Sequence, residues 1–188
     1  MMDLVRDSDG SALAVRIGGL LPHGRLAALL EATLAEQRWF VDASTGGRDD
    51  HRRAQVLYTP VDVALEVVER VRHWAAIAAR AFGRELDATA RLECQITAYL
   101  HGGYYRRHTD DDGSEAAERA FTYVYYFHRL PRGFAGGELC LGERVLEPMV
   151  NELIVFPSLL AHEVRDVLVP SRAFADGRFS VNGWLWQA

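Results

Sequence analysis

Lysine is absent from this chain. All 21 cationic side chains are arginine, set against 26 acids, for a formal net charge of -5. An acidic balance excludes the extended cationic face on which phosphate-backbone binders depend, so nucleic acid is not the expected partner. Cysteine is scarce: Cys94 and Cys140 are the two present. They have no metal-type spacing, and free thiols in strand-like stretches fit a reducing, cytoplasmic compartment. The N-terminal residues MMDLVRDSDG lack the apolar centre of a secretion signal, and no run of 18 apolar residues could span a bilayer, so no membrane partner is expected. Repeats and low-complexity linkers are also missing. The 188 residues are therefore read as one domain, helical in residues 1–90 and strand-rich in residues 91–188.

What is present is enough apolar material for a core: 49% of residues are hydrophobic and 25% charged, an ordinary balance for a folded domain. After a short strand-like run at residues 13–20, Leu26, Leu29, Leu30, Thr33 and Leu34 recur at helical spacing. A strand is expected at Trp39–Val41, and the polar run ASTGGRDDHRR at residues 43–53 reads as a loop. A second helix is expected over Val61–Phe82, with Leu65, Val68, Val71, Ala75 and Ala78 as its apolar stripe and Gly83 as its stop. Beyond residue 91 come eight short apolar or alternating runs separated by turn residues, ending at Phe179–Trp186. Eight strands without intervening helices give a mainly β fold with buttressing α-helices and a double-stranded β-helix, or jelly-roll, core.

The chemistry concentrates at His108-Thr109-Asp110. In an extended stretch, alternation puts His108 and Asp110 on one face, where an imidazole and a carboxylate can converge. With a second imidazole from downstream they would complete the 2-His-1-carboxylate facial set of non-haem Fe(II) oxygenases, which leaves coordination positions open. His162 follows the apolar run LIVFP, with Arg178 sixteen residues beyond it. The His162-Glu163 pair is not a zincin motif, because the residue at +4 is Asp166. Asp111 and Asp112, beside the motif, read as solvated acids. Gly136-Gly137 reads as a tight turn.

In order, HTD, FTYVYYF, GGEL, FPSLLAHEV and GRFSVNGWLW run from about Leu92 to Trp186. This set resembles the prolyl-4-hydroxylase-like branch of the 2-oxoglutarate and Fe(II)-dependent dioxygenases. The resemblance implies Fe(II) held by His108, Asp110 and His162, with 2-oxoglutarate as cosubstrate and ascorbate as a supporting reductant. It also implies Arg178 as the binder of the cosubstrate's C5 carboxylate, a task for which a planar, permanently charged guanidinium is suited. Tyr126 is implied as a second contact to that carboxylate, and Tyr99 as a pocket residue. Arg172 competes with Arg178 if the intervening segment holds an insertion. The activity implied is hydroxylation of an unactivated C–H, with release of succinate and CO2. The substrate would be a prolyl residue in a protein or peptide, a free amino acid or a small metabolite, and the enzyme a monomer or homodimer. The alternatives are a non-catalytic jelly-roll binding module and an alkylation-repair-type nucleic-acid demethylase. The six-residue spacing of Arg172 and Arg178 favours the demethylase and the acidic balance opposes it.

Overall fold

Alternation along one strand sets the architecture. In β8 (Arg119–Phe127), the side chains of Phe121, Tyr123, Tyr125 and Phe127 join one apolar cluster, while Tyr126 joins another on the opposite face. The same division holds in β14 (Arg178–Trp186), where Phe179, Val181 and Leu185 pack with the first cluster. Arg178, Ser180, Asn182 and Trp184 face the other way, into a cavity. Thus each central strand gives its bulky apolar set to one layer and its polar set to the other.

The computed structural model describes residues 1–43, 50–87, 89–110 and 118–187. Among the described residues, strands numbered in chain order form two antiparallel sheets. The larger has eight strands, in the order β1 (Met2–Arg6), β2 (Ala12–Gly18), β12 (Glu152–Pro157), β8, β14, β6 (Gln95–Tyr99), β5 (Gln55–Leu57) and β3 (Val41–Asp42). The smaller runs β11 (Arg144–Leu146), β10 (Leu139–Leu141), β13 (His162–Leu168), β7 (Gly103–His108) and β4 (Arg52–Arg53), with β9 (Ala135–Gly136) also paired to β13. Their inner faces pack on each other: Tyr126, Ile154 and Phe156 of the larger sheet cluster with Leu139, Leu141 and Leu146 of the smaller. This is the expected jelly-roll core.

Two helices, α1 (His23–Ala35) and α2 (Asp62–Ala81), cover the outer face of the larger sheet. α2 stops where Phe82 caps it and Gly83 adopts φ +65°, as the glycine position suggested. Its buried stripe is Ala64, Val67, Val71, Ala75, Ala78 and Ala79, so the first turns are rotated from the expected phase and Leu65 is exposed. Small side chains let the start of the helix approach the sheet closely, and the larger Leu65 is turned outward. The first 90 residues are also less helical than expected. They supply β1 to β5, and residues 37–39 form a 3₁₀ turn rather than the start of a strand. Among the described residues, no helix is long and apolar enough to cross a membrane.

Candidate metal centre

The two histidines meet because of strand register. β7 and β13 pair antiparallel with His162 directly opposite His108, which brings their ring centroids to 4.1 Å. Asp110 lies two residues past the end of β7, so simple alternation within a strand does not place it. Its backbone N–H donates to the Ser158 carbonyl at 3.0 Å and fixes the turn. One carboxylate oxygen then stands 3.7 Å from His108 Nε2 and the other 3.4 Å from His162 Nε2. One ligand atom from each of the three residues lies within 4.8 Å of the others.

Neighbouring groups orient these donors. His108 Nδ1 lies 2.7 Å from the Arg106 carbonyl and His162 Nδ1 lies 2.9 Å from that of Leu160. An Nδ1–H donated to a carbonyl leaves each Nε2 lone pair aimed at the shared point, the usual orientation for a metal ligand. Burial, then repulsion from His162, pulls the His108 pKa down to about 3, so the imidazole is neutral at physiological pH. Thr122 Oγ1 donates to Asp110 Oδ2 at 2.6 Å and lies 3.0 Å from Ser158 Oγ. The Tyr105 ring stacks on His108 at 3.4 Å, with the Arg52 guanidinium 4.8 Å above the Tyr105 ring.

These residues open into a cavity of about 570 Å³ between the sheets, which Arg178, Tyr99, Thr122, Arg119, Trp184 and Arg52 also line. Arg178 is 1% exposed. Register explains its company: it pairs across β14 and β6 with Tyr99, while its strand neighbour Ser180 pairs with Tyr126. Its guanidinium therefore lies 4.9 Å from the Tyr99 ring and 4.7 Å from the Tyr126 ring, and Nη2 donates to the Tyr126 hydroxyl at 3.3 Å. Nε donates to the Gly137 carbonyl at 2.8 Å. Gly137, expected only to form a turn, has a second role: a Cβ there would sit 2.6 Å from Arg178 Cδ. Among the described residues no carboxylate is within ion-pairing distance of Arg178, so a buried cation faces the cavity without an anion.

The N-terminal part of the chain and the jelly roll are also shared with known proteins. The family model described as the 2OG-Fe(II) oxygenase superfamily matches residues 94–186, the segment that carries all three donors and Arg178. The chain belongs to the 2OG-Fe(II) oxygenase superfamily. An uncharacterized PKHD-type hydroxylase of Synechocystis sp. is 32% identical over 182 residues, which cover 88% of this chain and 60% of that protein. In fold, a prolyl-4-hydroxylase of Pseudomonas putida matches with a TM-score of 0.71 at 19% identity, covering 93% of this chain and 92% of that one. A Trichoplax adhaerens prolyl hydroxylase, solved with a hypoxia inducible factor peptide fragment, gives 0.69 at 16% identity over 93% and 83%. The resemblance to the prolyl-4-hydroxylase-like branch thus holds across the fold as well as the motifs.

Fe(II) and 2-oxoglutarate are the groups this superfamily uses, and the residues fit both. His108, Asp110 and His162 form a 2-His-1-carboxylate set, and Arg178, without an acidic partner among the described residues, suits a dianion. Arg172 sits apart: it is exposed, at φ +57°, in the connection between β13 and β14. Tyr99 lines the cavity, whereas Tyr126 stands behind Arg178 and is fully buried. His128 is buried edge-on against Phe134 and is not part of the cavity wall. Asp111 and Asp112 lie outside the described residues. Sequence reasoning missed Thr122, Ser158, Tyr105 and Arg52. The polar run at residues 43–53 gave the one hint of these, since Arg52, at its described end, does reach the cavity.

Proposed function

We propose that this protein is an Fe(II)- and 2-oxoglutarate-dependent dioxygenase. It hydroxylates an unactivated C–H of a prolyl residue in a protein or peptide, or of a free amino acid or small metabolite. One observation carries the reading: a set of three clustered donors and a buried guanidinium without an acidic partner among the described residues share one cavity. The bound metal would supply O2 activation, in which 2-oxoglutarate and O2 give succinate and CO2 while the substrate C–H becomes C–OH. The chain's own residues do the placing. His108, Asp110 and His162 would hold the metal at the wall of the cavity. Arg178, braced by Tyr126 and the Gly137 carbonyl, anchors the far carboxylate of the cosubstrate. Arg119, paired with Glu93 at 3.1 Å and stacked 3.7 Å from the Trp184 ring, forms a further wall against which substrate is oriented.

The protein would act as one domain, a monomer or homodimer, in the cytoplasm, where Cys94 and Cys140 stay free. The demethylase reading loses its paired-arginine argument, because Arg172 is exposed outside the cavity that Arg178 lines. The test is succinate release from 2-oxoglutarate under air with Fe(II), for the parent and for His108→Ala. Release by the parent and none by the variant is expected. Equal release by both would sink the metal assignment. A parent that binds Fe(II) and 2-oxoglutarate, with a visible charge-transfer band, yet never releases succinate would be a binding module instead.

A further inference from the structure

With metal and cosubstrate in place, the cavity still holds one positive charge that nothing described so far offsets. The charged residues described on its walls are Arg52, Glu93, Asp110, Arg119 and Arg178. Imidazoles are neutral when they bind a metal, so a divalent ion beside Asp110 keeps one positive charge. The 2-oxoglutarate dianion beside Arg178 keeps one negative charge, and the two cancel. Glu93 meets Arg119 at 3.1 Å and is shared with Arg91 at 2.7 Å. Arg52 remains. Among the described residues neither acid of the wall is left to serve it, because Asp110 faces the two histidines and Glu93 is held by two arginines. The buried Nε of Arg52 also has no hydrogen-bond partner among the described residues.

Strand register sets this cation beside the reacting centre. Arg52 of β4 pairs with Tyr105 of β7, which lays its guanidinium 4.8 Å from the centre of the Tyr105 ring. That ring is in turn stacked on His108 at 3.4 Å, so one aromatic ring separates Arg52 from a metal ligand. Arg119 and Arg178 belong to the larger sheet, which makes Arg52 the one described cation on the smaller-sheet wall of the cavity. It is half-buried there. A partly desolvated guanidinium without an anion favours a ligand that brings one, and a carboxylate matches its planar pair of donors. The cavity, at about 570 Å³, is of the size that encloses small ligands.

We infer that the substrate is a small carboxylic acid, either an amino acid or a metabolite acid, whose carboxylate is bound by Arg52 and whose reacting carbon lies a few bonds away, towards the metal centre. This names the substrate class of the dioxygenase reading and rests on it for the oxidation, though not for the binding of the acid. A neutral residue within a peptide chain would leave the Arg52 charge without its counterpart. Arg52 therefore selects the substrate, and Tyr105, lying between it and His108, sets where the carboxylate is held.

The test uses the full chain loaded with Mn(II), which supports binding without turnover, together with 2-oxoglutarate. The probes are the free amino acids and a set of hydroxy acids, each titrated calorimetrically beside its own carboxamide. At least one acid is expected to bind, and its carboxamide at least about tenfold more weakly, the loss that goes with one charge-assisted hydrogen bond. Arg52→Met keeps an apolar stem over Tyr105 without the charge and should bind acid and amide alike. Arg52→Lys, which keeps the charge, should restore part of the preference. Both variants should bind 2-oxoglutarate as the parent does, because Arg178 holds that dianion. Unchanged thermal midpoints of the metal-free variants would show that they are folded, and the comparison of acid with amide in the parent needs no variant. The inference is overturned if no acid binds, if acid and amide bind the parent equally, or if Arg52→Met keeps the parent's preference. Loss of 2-oxoglutarate binding in Arg52→Met would also overturn it, since Arg52 would then belong to the cosubstrate site. Failure of the dioxygenase reading looks different: the acid is held through Arg52, yet no succinate is formed with Fe(II) under air.

Discussion

Replacing Arg178 by Met tests the cosubstrate site more sharply than a loss of activity would. The guanidinium is 1% exposed and has no acidic partner among the described residues. Its support is the Gly137 carbonyl at 2.8 Å, the Tyr126 hydroxyl at 3.3 Å and two aromatic faces. These compensate a buried charge only in part, and an incoming carboxylate completes the set with two charge-assisted hydrogen bonds. At about 1.5–3 kcal/mol each, the pair would contribute about 3–6 kcal/mol to 2-oxoglutarate binding. That is a loss of roughly two to four orders of magnitude in affinity for the variant. Thermal unfolding of the Mn(II) protein reads this directly. At a hundred times Kd, 2-oxoglutarate should stabilise the parent by about 2.7 kcal/mol, which raises Tm by about 5–10 °C for a chain of this size. At the same concentration Arg178→Met should shift by about 1 °C or less, and its ligand-free Tm should equal or exceed the parent's, because an unpaired buried charge has been removed. Arg172→Met should keep the full shift. A full shift in Arg178→Met, or its loss in Arg172→Met, would refute the assignment of the anion to the buried arginine.

Two other outcomes follow from the metal centre. Thr122→Val keeps side-chain volume but removes the hydroxyl that donates to Asp110 Oδ2 at 2.6 Å; metal affinity should fall by about 10- to 100-fold, as measured by competition with a chelating dye. His108, with its pKa held down to about 3 in the fold against 6.5 for the free side chain, binds fewer protons folded than unfolded. The metal-free protein should therefore lose stability as pH falls from about 6.5 towards 3, which urea midpoints at pH 7 and pH 5 would show, and identical midpoints would contradict the burial of that imidazole.

The strand-rich half was legible because its side chains obey a period of two. Phe121, Tyr123, Tyr125 and Phe127 on one face, against Thr122, Val124 and Tyr126 on the other, already imply a sheet covered on both sides. Periodicity says less where size and exposure disagree. In α2 the sequence offers Leu65 and Val68 as the larger candidates, yet Ala64 and Val67 are buried, because distance to the sheet rather than side-chain size decides the first turns. The short strands β1 and β4 show too little pattern to stand out in residues 1–90.

The candidate site divides along the same line. That His108, Asp110, His162 and Arg178 gather at one cavity was readable from their residue types and order. Their supports were not, because each depends on a pairing between positions far apart in the chain. Ser158 reaches Asp110 only through the turn that joins β12 to β13, and Thr122 only because β8 pairs with β12 up to that turn. Gly137 is a turn glycine in any sequence reading; it becomes a constraint on Arg178 only when β14 runs past it, leaving no room for a Cβ. Register also separates two tyrosines that composition treats alike. Tyr99 sits opposite Arg178 and forms cavity wall, whereas Tyr126 sits opposite Ser180 and holds the guanidinium from behind. Removing the Tyr126 hydroxyl should therefore loosen the arginine without changing the shape of the cavity, while changing Tyr99 alters the wall itself.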